Sequence, residues 1–153
     1  MPNRELLKKS PIFQDLDDFQ LELVAGLCEV VELGVGEFVF REGDEGDRLY
    51  IIGRGEVRIS RVLPGTGEEA LTVLKAGACF GEMAILDHSE RSTDAIANSR
   101  CALLSISRAN FEAMLESDMA LANKVLRSVV LLLCERLRMT NEAMRSLLVM
   151  AMF

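Results

Sequence analysis

The stretch Glu42-Gly43-Asp44-Glu45-Gly46-Asp47-Arg48-Leu49-Tyr50-Ile51-Ile52-Gly53-Arg54-Gly55-Glu56-Val57-Arg58-Ile59-Ser60-Arg61-Val62-Leu63 alternates glycine-bearing turns with short β-rich runs. Gly34 and Gly36 before it, and Gly65 and Gly67 after it, continue the rhythm. Turn residues at such regular intervals point to an all-β sandwich or barrel. From Val57 to Val62 apolar and polar residues largely alternate, so one face of that strand is buried and the other wet. Pro64-Gly65-Thr66-Gly67 then reads as a hairpin turn. The candidate strands are Glu37 to Arg41, Arg48 to Ile52, Glu56 to Leu63, Ala70 to Leu74, Asp94 to Ala97 and Cys101 to Ile106.

On either side of this region the period changes. Asp15 to Val30 places Leu16, Phe19, Leu23, Leu27 and Val30 at steps of three and four, which predicts an amphipathic helix. After Ser107, an expected N-cap, a short helix runs to Leu115, and from about Ser117 no Gly or Pro interrupts a single long C-terminal helix. Leu126, Val130, Leu133, Leu137, Thr140, Met144, Leu147 and Ala151 follow alternating steps of four and three, the seam of a coiled coil. The competing reading packs this stripe on the chain's own barrel. A helix approaching ~50 Å at about 1.5 Å per residue outruns such a barrel, so a partner helix is expected, and residues 126–151 are assigned to a homodimer.

A chain of 153 residues fits one domain, able to bury roughly 70% of its unfolded surface. It divides into an N-terminal helix with a β-roll (10–106) and C-terminal helices (107–153). The formal net charge of −7 opposes direct nucleic-acid binding. No apolar run approaches the ~20 residues of a membrane span, and Met1 to Phe13 lacks the apolar segment of a secretory signal, so a cytoplasmic location is expected. Cys28, Cys79, Cys101 and Cys134 lie far apart in apolar stretches and read as reduced, buried thiols.

The chemistry concentrates in Phe80-Gly81-Glu82-Met83-Ala84-Ile85-Leu86-Asp87-His88-Ser89-Glu90-Arg91-Ser92-Thr93. A glycine enters a helical turn, a carboxylate follows, and an arginine comes nine residues later. These groups suit a cyclic phosphate joined to a ribose: N–H groups at a helix start face anionic oxygens, a carboxylate accepts a sugar hydroxyl proton, and arginine offers phosphate a planar fork. Taken alone, Arg91 also reads as a surface salt-bridge residue, and Glu82 as an acid favoured by the helix dipole.

The same residues resemble the cyclic-nucleotide-binding domain shared by protein kinase A regulatory subunits, catabolite activator proteins and cyclic-nucleotide-gated channels. Phe80-Gly81-Glu82-Met83-Ala84 with Arg91-Ser92 is similar to that family's phosphate-binding cassette. Glu42 to Asp47 with Leu49 to Ile52 is similar to its Gly-Asp turn and strand, and Gly55 follows at the expected place. The resemblance covers about Ser10 to Asn141. It implies a mainly β fold with flanking α: an eight-stranded, jelly-roll or cupin-like β-roll with N-terminal helices and a long C-terminal helix. Glu82 would then bond the ribose 2′-hydroxyl, Arg91 the cyclic phosphate, and Ser92 with the Thr93 backbone the remaining phosphate oxygens. Thr72 and Leu74 would pack on the base, and Asp47 would brace the Arg91 guanidinium, although a turn aspartate explains it equally.

Cys134-Glu135-Arg136-Leu137-Arg138-Met139-Thr140-Asn141 resembles the helix that covers adenine in catabolite activator proteins. Arg136, Thr140 and Asn141 are the matched positions, with Asn141 placed to reach the neighbouring chain's nucleotide. Two positions depart from the pattern. Glu90 stands where many members have proline, although catabolite activator proteins also carry Glu-Arg-Ser. Asp94 stands where Thr or an apolar residue is common, and facing the phosphate it would weaken binding. Ser92 in place of threonine favours cAMP, with cGMP as the weaker alternative.

No catalytic residue, cofactor or metal site is expected, since His88 is the chain's one histidine. The alternative function is a non-binding domain that keeps the fold for dimerisation or docking through Leu147 to Phe153. Catabolite activator proteins continue into a helix-turn-helix, for which nothing remains after Phe153. The expectation is therefore either a protein acting through a separate effector, or a piece whose effector domain is absent.

Overall fold

A computed structural model describes residues 3–152; Met1, Pro2 and Phe153, the outer ends of the two terminal segments considered above, lie outside the described residues. The chain opens with α1 (Asn3–Lys9) and α2 (Asp18–Ala25). Then come β1 (Glu29–Leu33), β2 (Phe38–Phe40), β3 (Arg48–Arg54), β4 (Val57–Leu63), β5 (Gly67–Leu74) and β6 (Cys79–Phe80). α3 (Glu82–Asp87) precedes β7 (Asp94–Ala97) and β8 (Cys101–Ser107), and the chain continues into α4 (Arg108–Ser117) and α5 (Met119–Ala151). The strands form two four-stranded antiparallel sheets in the orders β1-β8-β3-β6 and β2-β7-β4-β5. This is the eight-stranded β-roll with N-terminal helices and a long C-terminal helix that the resemblance implies.

The central strands of the first sheet, β3 and β8, are buried on both faces, and their sequences show it, whereas the edge strand β1 is largely exposed. In β3, Leu49 and Ile51 join a cluster formed with the helices, including Leu7, Phe13, Leu21, Phe111, Leu121 and Val125. Tyr50 and Ile52, on the other face, join Val57, Phe80, Ala97 and Leu103 between the sheets. A strand covered on both sides has no reason to alternate. Fully burying a Leu or Ile is worth about 1.5–3 kcal/mol, so these runs anchor the helices to the roll.

The N-terminal helix differs from its expected form. Asp17 accepts from Gln20 N at 2.8 Å while Gln20 Oε1 accepts from Asp17 N at 3.0 Å, a reciprocal cap that starts α2 at Asp18 rather than Asp15. The buried face is Gln20, Leu21 and Val24, whereas Phe19 and Leu23 are exposed. Val30 belongs to β1, opposite Leu104 of β8. The strand partner lies about seventy residues away, and backbone pairing with it outweighs a local helical period.

At the other end, Ser107 Oγ accepts from Asn110 N at 3.1 Å and caps α4 as expected. Asp118, extended at φ −150° and ψ 113°, ends α4 and caps α5 by accepting from Ala120 N and Leu121 N, so the long helix begins at Met119 rather than Ser117. α5 buries Leu121, Val125, Ser128 and Val129 against its own protomer. The seam residues Leu126, Val130, Leu137, Met144 and Leu147 stay between 41% and 67% exposed. The seam therefore does not pack on the chain's own barrel, except at Leu133, which rests partly buried on the core. None of the described helices is long and apolar enough to cross a membrane.

Candidate ligand-binding site

The site is built where β6 hands over to α3. Tyr50 pairs with Phe80, and the next residue, Gly81, turns the chain at φ 82°. A Cβ there would lie 2.8 Å from Arg91 Nη1 and 3.1 Å from the Arg48 carbonyl oxygen, so glycine is required for space as well as for its dihedral. α3 ends at His88, itself left-handed at φ 61°, whose N–H donates to Ala84 O at 2.9 Å. Gly46 packs against this helix so closely that a Cβ would lie 2.0 Å from that of Ala84. The turn at 43–47 and α3 are thereby one packed unit.

Arg91 is 5% exposed. Its Nη1 donates to Gly81 O at 3.0 Å and its Nη2 to Arg48 O at 2.6 Å, while Nε has no hydrogen-bond partner among the described residues. The guanidinium carbon sits 4.2 Å from the Phe40 ring centre and 5.9 Å from that of Tyr50. Main-chain bonds from Arg91 N to Asp44 O and from Gly43 N to Arg91 O fix its backbone to the turn before β3. Burial pulls the Arg91 pKa down, partly offset by the nearby Tyr50 and Asp47. Asp47 differs from the bracing role carried over to it. It is exposed and makes no ion pair with Arg91; two carbonyls hold the guanidinium, and Asp47 acts on it only through its field. Its main chain instead accepts from Arg108 N at 2.8 Å, because the turn closes on the start of α4.

Glu82 is 2% exposed and forms an ion pair with Arg136 of α5, and its Oε2 has no partner among the described residues. Arg136 Nη2 also donates to Cys79 O at 2.8 Å, so one guanidinium ties α5 to both β6 and α3. Burial lowers the Arg136 pKa and pushes the Cys79 thiol up to about 12.

These groups surround one cavity of about 600 Å³. Of the residues expected from sequence, Thr72 and Leu74 line it from β5, Gly81, Glu82, Met83 and Ala84 from α3 and its entry, Arg91, Ser92 and Thr93 from the following loop, and Arg136 and Thr140 from α5. Asn141 does not line it and is exposed. Thr140 Oγ1 donates to Arg136 O at 2.9 Å, which leaves its lone pairs free to accept. Asp94 does not line the cavity; its Oδ1 accepts from Glu42 N at 2.7 Å. Glu90 does line it, with an exposed side chain.

Phe80, which opens the cassette stretch, also lines the cavity, and so do Phe40, Ile59, Leu132, Glu135 and Met139, which sequence reading did not single out as ligand contacts. Leu132 and Met139 stand four and three residues from Arg136, and Glu135 lies three after Leu132 and four before Met139, a helical spacing present in the sequence. Ile59 pairs with Thr72, and only the register of β4 on β5, shifted by an irregularity between Ile59 and Ser60, makes them neighbours.

Comparison with known proteins places this geometry. Residues 30–118 match the cyclic nucleotide-binding domain. The CRP-like cAMP-activated global transcriptional regulator of Mycobacterium tuberculosis is 31% identical over 144 residues, covering 94% of this chain and 62% of that protein. The Thermus thermophilus catabolite activator protein superposes with a TM-score of 0.80 at 31% identity, over 90% of this chain and 63% of that one. The N-terminal domain of a transcriptional regulator from Streptomyces coelicolor A3(2) gives 0.77 at 32% identity, over 91% and 94%. The chain thus spans about three-fifths of the length of the curated regulators it matches.

Proposed function

The chain belongs to the cyclic nucleotide-binding domain family, and from that premise we propose that it is a cyclic-nucleotide sensor, taking cAMP in preference to cGMP and reporting occupancy through α5. The observation that carries this reading is Arg91. A cation buried to this degree is expensive unless paired, yet its partners are two carbonyls and no carboxylate. It shares a cavity with Glu82, whose Oε2 is also unpartnered. A cyclic phosphodiester supplies the anion that Arg91 lacks, and the adjoining ribose hydroxyl supplies a donor to Glu82. Ser92 and Thr93 line the same end, while Thr72, Leu74 and Ile59 offer a wall for a base. The M. tuberculosis relative is cAMP-activated by name, which supports adenine as the base. The accepting lone pairs of Thr140 suit the adenine amino group rather than the guanine carbonyl at that edge.

Signalling follows from Arg136. Glu82 is the ribose acceptor and also the carboxylate to which α5 is tied, so nucleotide and helix share one group. Ligand shifts α5 between placements only as far as it binds one of them better. The exposed seam gives that helix a second copy as its partner, in a twofold homodimer. A separate effector protein, or a domain beyond this chain, would read the movement.

The test is calorimetry and thermal unfolding with cAMP and cGMP. At about 100 times its dissociation constant, cAMP stabilises the wild type by about 2.7 kcal/mol. Arg91→Ala and Arg91→Lys both lose that shift, the second because an ammonium keeps the charge without the fork. Unchanged cAMP affinity in both variants overturns the reading.

A further inference from the structure

α5 is charged against the rest of the chain. It carries five basic residues, Lys124, Arg127, Arg136, Arg138 and Arg145, and two acidic ones, Glu135 and Glu142, hence a net three positive charges. With a formal charge of −7 for the whole chain, everything outside α5 holds an excess of ten negative charges. Two of the basic groups are used within the protomer, Lys124 on Gln20 Oε1 at 2.9 Å and Arg136 on Glu82. Arg127, Arg138 and Arg145 are exposed and form no ion pair among the described residues.

Their spacing aligns them. At 3.6 residues per turn, steps of eleven and seven bring the three within about 20° of a common line, extending about 27 Å along the helix. That line lies roughly 100° around α5 from the exposed seam of Leu126, Val130, Leu137 and Met144. The opposite flank of the seam is the one that Val125, Val129 and Arg136 press against the chain's own barrel. When two such helices pair in parallel about a twofold axis, each turns one flank toward the other's opposite flank. The arginine flank of one α5 then overhangs the side of the partner helix that carries the partner's barrel.

We propose that Arg127, Arg138 and Arg145 form an electrostatic docking stripe for the acidic barrel of a second copy of this chain. This rests on the dimer reading above and adds to it a surface outside the seam. The copy supplies the complementary charge, and the twofold axis brings it to the stripe. A polyanion such as nucleic acid would meet the field of a chain that is net acidic outside α5. Exposed pairs of this kind are individually weak and are screened by salt, so the stripe sets orientation and salt dependence, while the apolar seam supplies most of the affinity.

The test is sedimentation equilibrium of the full chain at about 50 mM and about 500 mM salt, where the screening length falls from above to below about 10 Å. The wild-type dimer weakens as salt rises. Arg138→Glu with Arg145→Glu weakens it about tenfold at low salt, with most of the difference gone at high salt. Arg54→Glu with Arg100→Glu makes the same net charge change at exposed barrel arginines and does not weaken it. A stripe variant with wild-type affinity and salt response overturns the proposal, as does one that dimerises normally but loses binding to a nucleic-acid column. If Leu137→Glu leaves the wild-type assembly unchanged, the dimer reading itself fails. If Leu137→Glu dissociates the dimer and the stripe variant keeps wild-type affinity and salt response, only the docking stripe fails.

Discussion

Replacing Gly81 by alanine perturbs the backbone and the cassette arginine together. At φ 82° an L-residue costs about 1–2 kcal/mol relative to glycine. The added Cβ would lie 2.8 Å from Arg91 Nη1 and 3.1 Å from Arg48 O, well inside the ~3.5 Å at which such atoms rest, so the guanidinium must withdraw by several tenths of an ångström. That motion stretches the 3.0 Å bond from Nη1 to Gly81 O and the 2.6 Å bond from Nη2 to Arg48 O. Charge-assisted bonds are worth about 1.5–3 kcal/mol, so weakening them brings the total loss of stability to about 2–4 kcal/mol. A misplaced guanidinium also forfeits one such interaction with phosphate, which raises the cAMP dissociation constant about 10- to 100-fold. Gly36→Ala is the matched control: φ is 85° there and no atom lies within 4 Å of the added Cβ, so it pays the backbone strain alone and leaves affinity unchanged. Urea unfolding and calorimetry on both variants separate the two contributions. Gly81→Ala with the expected loss of stability and a wild-type dissociation constant would refute the argument that this close approach positions the phosphate-binding group.

Glu82→Gln removes the carboxylate from Arg136; because Arg136 is partly exposed, the expected loss is about 1–3 kcal/mol, and a double-mutant cycle with Arg136→Met should return a coupling of that order by urea unfolding. Leu137→Glu should give a monomer by light scattering with the barrel's stability intact, whereas Leu133→Glu should also destabilise the protomer because Leu133 rests partly on the core. Burial raises the Cys79 pKa from 9.0 to about 12, so the unfolded chain deprotonates first and the contribution of this thiol is lost as pH rises above about 9. Between pH 8 and 10.5 wild-type stability should fall by about 2 kcal/mol more than that of Cys79→Ala, and equal slopes in the two proteins would exclude this origin.

The sequence by itself determined what is local. Glycine at 43 and 55 turns the chain at φ 90°, Ser107 caps the helix that follows it, and the four-and-three spacing from Leu126 onward belongs to an α-helix of any tertiary setting. The pairing of a glycine-carboxylate turn with Arg91 was likewise legible, because the whole cassette occupies fourteen consecutive residues. The tertiary structure decided what depends on distant partners. Val30 left a helical pattern for a strand because Leu104 lay opposite it, and Ile59 met the cavity because β4 and β5 share a register that no local window contains. Asp47 and Arg48 are adjacent in sequence, yet the Arg48 carbonyl holds Arg91 and the Asp47 carboxylate does not. Which group of a turn reaches a buried cation is set by how the turn packs against α3 and α4, not by the residue types in it.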